Sequence, residues 1–138
     1  MESKKVNQSS FVVRIKRGEK IIESLTAFCK KEGIEGGFFY GVGAVDKAEL
    51  AHYDVDSQKY SSLKFEQPLE LINITGSIGK EEDLIIHAHT VLGDTEMKVI
   101  GGHFVEGRVS GTAEIYLTKT DKLTKKKDPE TGLKLFSL

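Results

Sequence analysis

The spacing of apolar residues along the chain changes near residue 33. Between residues 19 and 32, apolar side chains recur every three or four positions with charged residues between them, which indicates an amphipathic helix. Gly33 directly follows a charged segment containing Lys30 and Lys31, as is common where a helix ends. We therefore predict one main helix over about residues 19–32.

The remaining apolar residues are spaced as in β-strands. The segment S-F-V-V-R-I-K at 10–16 predicts a first strand, and after Gly33 short aromatic and β-branched runs alternate with turn residues. Consecutive strands joined by short turns favour antiparallel pairing. A last hairpin is expected to turn at Asp128 to Gly132. We predict a single α+β domain over residues 1–138, with a mostly antiparallel β-sheet and the helix packed against it.

Three of the four histidines fall within this strand pattern. His87 and His89 form an H-A-H triplet, and residues two apart on a strand project from the same face. His103 would join them if its strand pairs with theirs. If His87 faces His103, the turn centres on Thr95 with an odd-numbered loop near residues 93–97. An even-numbered loop would turn His103 away unless a bulge at Gly101 and Gly102 restores its direction.

Three imidazoles on one face predict a metal site. Zinc is the preferred ion because it binds histidine nitrogen tetrahedrally, and three protein ligands would leave one position open. Nickel, copper or iron would also fit imidazole ligands. The simpler alternative is a set of hydrogen-bonded structural histidines. His52, the fourth histidine, is interpreted as a solitary strand residue.

Catalysis at such a metal would also need a general base. The carboxylates nearest in sequence are Asp94, Glu96 and Glu106. Asp94 is interpreted as the cap of its own turn, and Glu106 as a surface partner of Arg108. A catalytic role is therefore the less favoured interpretation.

Composition narrows the class of protein. Hydrophobic residues make up 38% and charged residues 30% of the chain, which is typical of a soluble globular protein. No apolar run approaches the ~20 residues of a membrane helix, and the first residues lack the apolar segment of a signal peptide. We expect a cytoplasmic protein with no membrane contact. The single cysteine, Cys29, excludes an internal disulfide and lies on the apolar face of the predicted helix.

A glycine-rich segment and a group of C-terminal lysines are the two further features that relate to nucleotide or nucleic-acid binding. G-V-G-A-V-D at 41–46 lacks the third glycine and the following helix of a dinucleotide fingerprint, so its glycines are interpreted as permitting a tight bend, a bulge or close subunit packing. The net charge of −1 provides no overall positive field for DNA. A cluster of C-terminal lysines is interpreted as a solubilising edge, with phosphate contact as the alternative: Lys119, Lys122, Lys125, Lys126 and Lys127.

Four strings in combination resemble the PPC domain, also called DUF296: G-V-G-A-V at 41–45, L-I-N-I-T-G-S-I at 71–78, I-H-A-H-T-V-L-G-D at 86–94 and G-G-H-F-V-E-G-R-V at 101–109. The resemblance implies a compact domain on an antiparallel sheet and a homotrimer. It also implies metal ligation by His87, His89 and His103. Plant members bind DNA through a separate AT-hook of R-G-R-P type, from which K-R-G-E at 16–19 departs.

The sequence thus predicts a stand-alone prokaryotic PPC domain that binds a divalent metal, preferably zinc, with an unknown biochemical role. Three alternatives remain at this point. The first is a DNA-associated regulatory protein with lysines on phosphate. The second is a metal-dependent enzyme acting on a small molecule, and the third is a purely structural metal that stiffens the trimer.

Overall fold

The structure is a computed structural model that describes residues 1–138. It contains one α-helix and nine strands, and every strand ladder is antiparallel. The predicted α+β class is confirmed. The elements in chain order are β1 (Glu2–Lys5), β2 (Ser10–Lys16), α1 (Ile21–Lys31), β3 (Gly37–Asp54), β4 (Lys59–Phe65), β5 (Leu69–Lys80), β6 (Leu84–Gly93), β7 (Val99–Lys119), β8 (Lys125–Lys127) and β9 (Lys134–Phe136).

The main sheet has seven strands in the order β1-β2-β7-β6-β5-β3-β4, and β3 also pairs with β7. The pairings of β7, β6, β5 and β3 therefore form a closed circuit. Two strands of unusual length make this closure, since β3 spans 18 residues and β7 spans 21. Each changes partners along its length, so the sheet curls around a single apolar core.

The helix covers the core with the face that its spacing predicted. Leu25, Phe28 and Cys29 are buried, and the Phe28 ring meets Phe11 of β2 edge-on at 5.4 Å. Gly33 has a φ of +62°, and the Ile34 N–H donates to the Cys29 carbonyl at 2.8 Å, which closes the helix end. The predicted helix is confirmed. Burial raises the pKa of the Cys29 thiol to about 12.

A carboxylate from a distant strand caps the other end of the helix. Lys20 occupies the N-cap position and makes no side-chain cap. Glu106 of β7 instead accepts hydrogen bonds from the backbone N–H of Ile22 (2.9 Å) and of Glu23 (3.2 Å). The predicted Glu106–Arg108 pair is therefore wrong, and Arg108 binds Asp46 through two hydrogen bonds.

The glycines of the G-V-G-A-V segment allow two strands to approach closely. A Cβ at Gly41 would lie 2.4 Å from the Glu114 carbonyl oxygen, and one at Gly43 would lie 2.3 Å from that of Thr112. The β3–β5 register also shifts between these two glycines. The segment lies within β3, so it is not a dinucleotide loop, and the register shift confirms the interpretation as a bulge. The close approach is between β3 and β7 of one chain.

The C-terminal hairpin forms as predicted. β8 and β9 pair antiparallel around a turn that includes Asp128 and Gly132. Its loop is tied to the β3–β4 hairpin, because the Tyr53 hydroxyl donates to the Thr131 carbonyl at 2.6 Å and the Gln58 amide to the Glu130 carbonyl at 3.1 Å. The only helix of the fold is too short to cross a membrane.

Candidate metal centre

Strands β6 and β7 bring the three histidines together on one face of the sheet. His89 lies directly opposite His103, and His87 lies two residues before His89 on β6. The loop over residues 94–98 is odd-numbered, as the cluster requires, and no bulge occurs at Gly101 and Gly102. The predicted His87–His103 register is wrong by two residues. Even so, all three side chains share the face because the parity is preserved.

The loop that sets this register is held by its own side chain. One carboxylate oxygen of Asp94 accepts from the backbone N–H of Glu96 at 2.8 Å and from that of Lys98 at 2.9 Å. Met97 takes a φ of +64° at its tip. The interpretation of Asp94 as a turn cap is confirmed.

One ring nitrogen from each of His87, His89 and His103 lies within 4.8 Å of the other two. The Nε2 atoms of His87 and His89 are 3.2 Å apart, and neither ring has another side-chain hydrogen bond. Tyr60 of β4 packs its ring 5.3 Å from that of His103. His52 is exposed and is not part of the cluster.

The surroundings of His87 and His103 lower their pKa values and favour the neutral form of these two rings. Desolvation, followed by the effects of His103, His89 and the positive charge of Lys125, lowers the pKa of His87 to about 4. Desolvation also lowers the pKa of His103, with a smaller effect of His89. Neutral rings keep a nitrogen lone pair free, and that is the form that binds metal ions.

The histidines form one wall of a cleft of about 800 Å³. The β3–β4 hairpin, β6, β7 and the C-terminal hairpin enclose it, and no aspartate or glutamate lines it. The proposed general bases therefore lie elsewhere: Asp94 holds its turn, Glu96 pairs with Lys98, and Glu106 caps the helix. The apolar part of the lining consists of Ala51, Tyr53, Val55, Tyr60, Ile85, Ile86, Leu133 and Leu135.

Lys125 is the residue that the sequence interpretation misplaced. The sequence predicts a solubilising surface lysine here, but Lys125 is 3% exposed and lines the cleft beside the histidines. Its neighbours Lys126 and Lys127 are exposed. Alternation along β8 turns Lys126 to the opposite face, while Lys127 has the same parity as Lys125 but does not line the cleft. In the sequence, however, three consecutive lysines contain no sign of which one turns inward.

The sequence model of the Plants and Prokaryotes Conserved (PCC) domain matches residues 2–121. The chain belongs to this family. The PCC assignment agrees with the resemblance carried by the four sequence strings. No protein of curated function matches the chain significantly.

Solved structures share the PCC fold over nearly the whole chain. A "putative DNA binding protein" from Bacteroides thetaiotaomicron superposes with a TM-score of 0.94 at 25% identity, covering 99% of this chain and 96% of its own. A plant- and prokaryote-conserved protein from Pyrococcus horikoshii gives 0.85 at 32% identity, with 94% and 91% covered. A metal-containing protein from Archaeoglobus fulgidus gives 0.87 at 24% identity, with 98% and 100% covered.

Proposed function

We propose that this PCC domain binds one divalent metal ion, zinc, through His87, His89 and His103. The observation that carries the proposal is the convergence of three imidazole nitrogens within 4.8 Å on one face of the sheet. A metal-containing relative has the same fold, although at 24% identity it shows the fold alone.

The spacing of the nitrogens fits the proposed ion. A tetrahedral zinc with nitrogen ligands at about 2.0–2.1 Å separates two of them by roughly 3.3–3.4 Å. The Nε2 atoms of His87 and His89 are 3.2 Å apart, so these two rings are already close to the required separation. The remaining nitrogen distances, which are within 4.8 Å, must shorten towards this separation, and no other side-chain hydrogen bond of the three imidazoles opposes that movement.

The ligand set leaves one coordination position for a water or an exogenous ligand, and a bound metal would supply Lewis acidity there. The chain's own residues determine what reaches that position. Tyr60 packs beside His103, His87 and His89 are exposed to the cleft, and apolar side chains make up much of the cleft lining. With no carboxylate in the lining, the cleft supports ligand binding better than hydrolysis assisted by a general base.

Elemental analysis of the purified protein tests the proposal directly. We expect about one zinc per chain after exchange into metal-free buffer, and a loss of most of it in His89→Ala. His52→Ala is the matched control, because it removes the histidine outside the cluster and should keep the metal. A wild-type protein that stays metal-free after incubation with zinc would refute the assignment.

We also propose that the chain forms a homotrimer through the outer face of β3. Phe38, Tyr40 and Val42 alternate along this face, and Tyr40 is 59% exposed. Its ring packs against Tyr116 of β7 at 5.5 Å, which extends the apolar surface across two strands. Exposed apolar side chains grouped in this way are typical of protein interfaces.

Light scattering coupled to size exclusion tests the assembly. We expect a particle of three times the 15.3 kDa chain mass, which Tyr40→Glu should dissociate because it places a charge in the apolar contact. Leu63→Glu, at an exposed apolar position on β4, is the control and should leave the mass unchanged. A monomeric wild-type protein would refute the proposal.

A further inference from the structure

The cleft beside the histidines contains a largely buried lysine side chain with no acidic partner. Lys125 is 3% exposed, and none of the ion pairs of the structure includes it. Buried lysines are rare unless they are paired, because desolvating an ammonium group is costly. An unpaired one that lines a cleft indicates that its partner is a ligand.

The fold fixes the Lys125 side chain in this position. Its stem crosses β5 at Gly79, where an added Cβ would lie 2.9 Å from the Lys125 Cγ and 3.1 Å from its Cε. The Nζ atom lies 4.7 Å from the centre of the Phe136 ring, in a cation–π contact. A glycine on one strand and an aromatic ring on another thus hold the stem and the ammonium in place, so the charge is part of the site.

The other residues of the cleft define the class of ligand. Lys134 also lines the cleft, but its ammonium binds Glu81 at 2.6 Å. One free ammonium suits a monoanion better than a phosphate, and the apolar walls suit a hydrocarbon body. A volume of about 800 Å³ is within the range of small-molecule sites.

We propose that the cleft binds a small organic carboxylate, whose anionic group pairs with Lys125 beside the histidine cluster and whose apolar body contacts Tyr60, Ile86 and Leu135. The inference rests on the proposed metal centre for one contact, since a carboxylate oxygen at the fourth metal position would complete the coordination. The pairing with Lys125 does not require the metal. Ammonium and carboxylate attract strongly where little water is present.

Calorimetric titration with benzoate and with benzamide, its uncharged analogue, tests the proposal on the zinc-loaded protein. We expect benzoate to bind at least tenfold more tightly than benzamide. Lys125→Met keeps the length of the side chain and removes the charge, and it should weaken benzoate binding at least tenfold. Lys126→Met, on the exposed side of the same strand, should bind like the wild type.

Two measurements separate a failure of this inference from a failure of the metal centre. Zinc content is determined for every variant, and Lys125→Met should retain the wild-type amount. The titrations are repeated on metal-free protein, where weaker binding that still depends on Lys125 would support the anion site independently of the metal. Lys125→Arg preserves the charge and should retain binding, which controls for a folding defect in the methionine variant.

Three results would overturn the inference. Benzoate binding that is unchanged in Lys125→Met would show that the ammonium is not the anion partner. Equal affinities for benzoate and benzamide would remove the requirement for charge. Absence of binding to both zinc-loaded and metal-free protein would exclude small aromatic carboxylates and, with hexanoate tested in the same way, the proposed class.

Discussion

Removal of the Glu106 carboxylate should destabilise the fold because the N-terminus of α1 loses its cap. An N-cap side chain normally accepts from the second and third backbone N–H groups of a helix, and in α1 these belong to Ile22 and Glu23. Glu106 binds both, from more than 80 residues away in sequence. The substitution Glu106→Ala leaves both donors without their partner, next to a lysine that cannot replace it.

The size of the effect follows from known capping energies. Loss of an N-cap side chain costs about 0.5–2 kcal/mol, and a carboxylate at a helix N-terminus contributes about 0.3–1 kcal/mol through the helix dipole. We expect Glu106→Ala to lower the free energy of unfolding by about 1–3 kcal/mol. Glu106→Gln keeps an acceptor without the charge and should lose about half as much.

Urea unfolding followed by circular dichroism measures this change at matched protein concentration. Glu96→Ala is the control, because Glu96 is exposed and binds only Lys98, so its loss should cost less than ~1 kcal/mol. If Glu106→Ala and Glu96→Ala unfold at the same urea concentration, the carboxylate does not cap the helix in solution. A large loss in Glu106→Ala with none in Glu106→Gln would assign the effect to the hydrogen-bond acceptor and the packing of the side chain instead of its charge.

Three further predictions concern reactivity, pH and nucleic acid. Cys29 should resist Ellman's reagent at pH 8 in the native protein and react fully in denaturant, because burial raises the pKa of its thiol to about 12; rapid native labelling would contradict its burial. The metal-free protein should lose stability as the pH falls from about 6.5 towards 4. In this interval His87 takes up a proton in the unfolded chain but stays neutral in the folded protein, where its pKa is about 4. In urea titrations, His87→Gln should lose less free energy of unfolding over the same interval. Fluorescence anisotropy should detect no binding to duplex DNA at about 50 mM salt; tight binding that weakens steeply with salt would restore the DNA-associated alternative.

The sequence predicted most of the architecture because burial leaves a periodic signal. The helix period identified α1, and the two-residue alternation identified β2 and placed His87 and His89 on the same face of their strand. β1 was not predicted, since Glu2–Lys5 is an exposed polar edge strand with no apolar alternation. The inward direction of Lys125 and the capping by Glu106 also carry no local signal, because each depends on a contact between elements far apart in the chain.

From the sequence, the side of the sheet on which His103 lies could be predicted only for a given length of the β6–β7 loop. Its parity relative to His87 and His89 depends on whether the connecting loop has an odd or even number of residues. Asp94 determines this with two hydrogen bonds to the loop backbone, and Met97 adopts a left-handed conformation that its residue type does not favour. The sequence therefore predicts that the cluster needs an odd-numbered loop, and the contacts of Asp94 in the folded chain produce one.

A bulge in β7 allows this strand to place one side chain in the cleft and another at the start of α1. The β3–β7 register shifts where Glu49 pairs with Glu106 and Leu50 with Phe104, which leaves Val105 as an extra residue. Before this bulge Phe104 faces the core, and after it the odd-numbered Gly107 and Val109 do. His103 can thus face the cleft while Glu106, three residues later, reaches α1. Loss of this bulge would not turn His103 away, because its register against His89 is set across β6 and β7 by the loop over residues 94–98. Glu106→Ala should therefore lower stability while the zinc content stays at the wild-type amount. A loss of zinc from the folded variant would show that the Glu106 contact also supports the cleft.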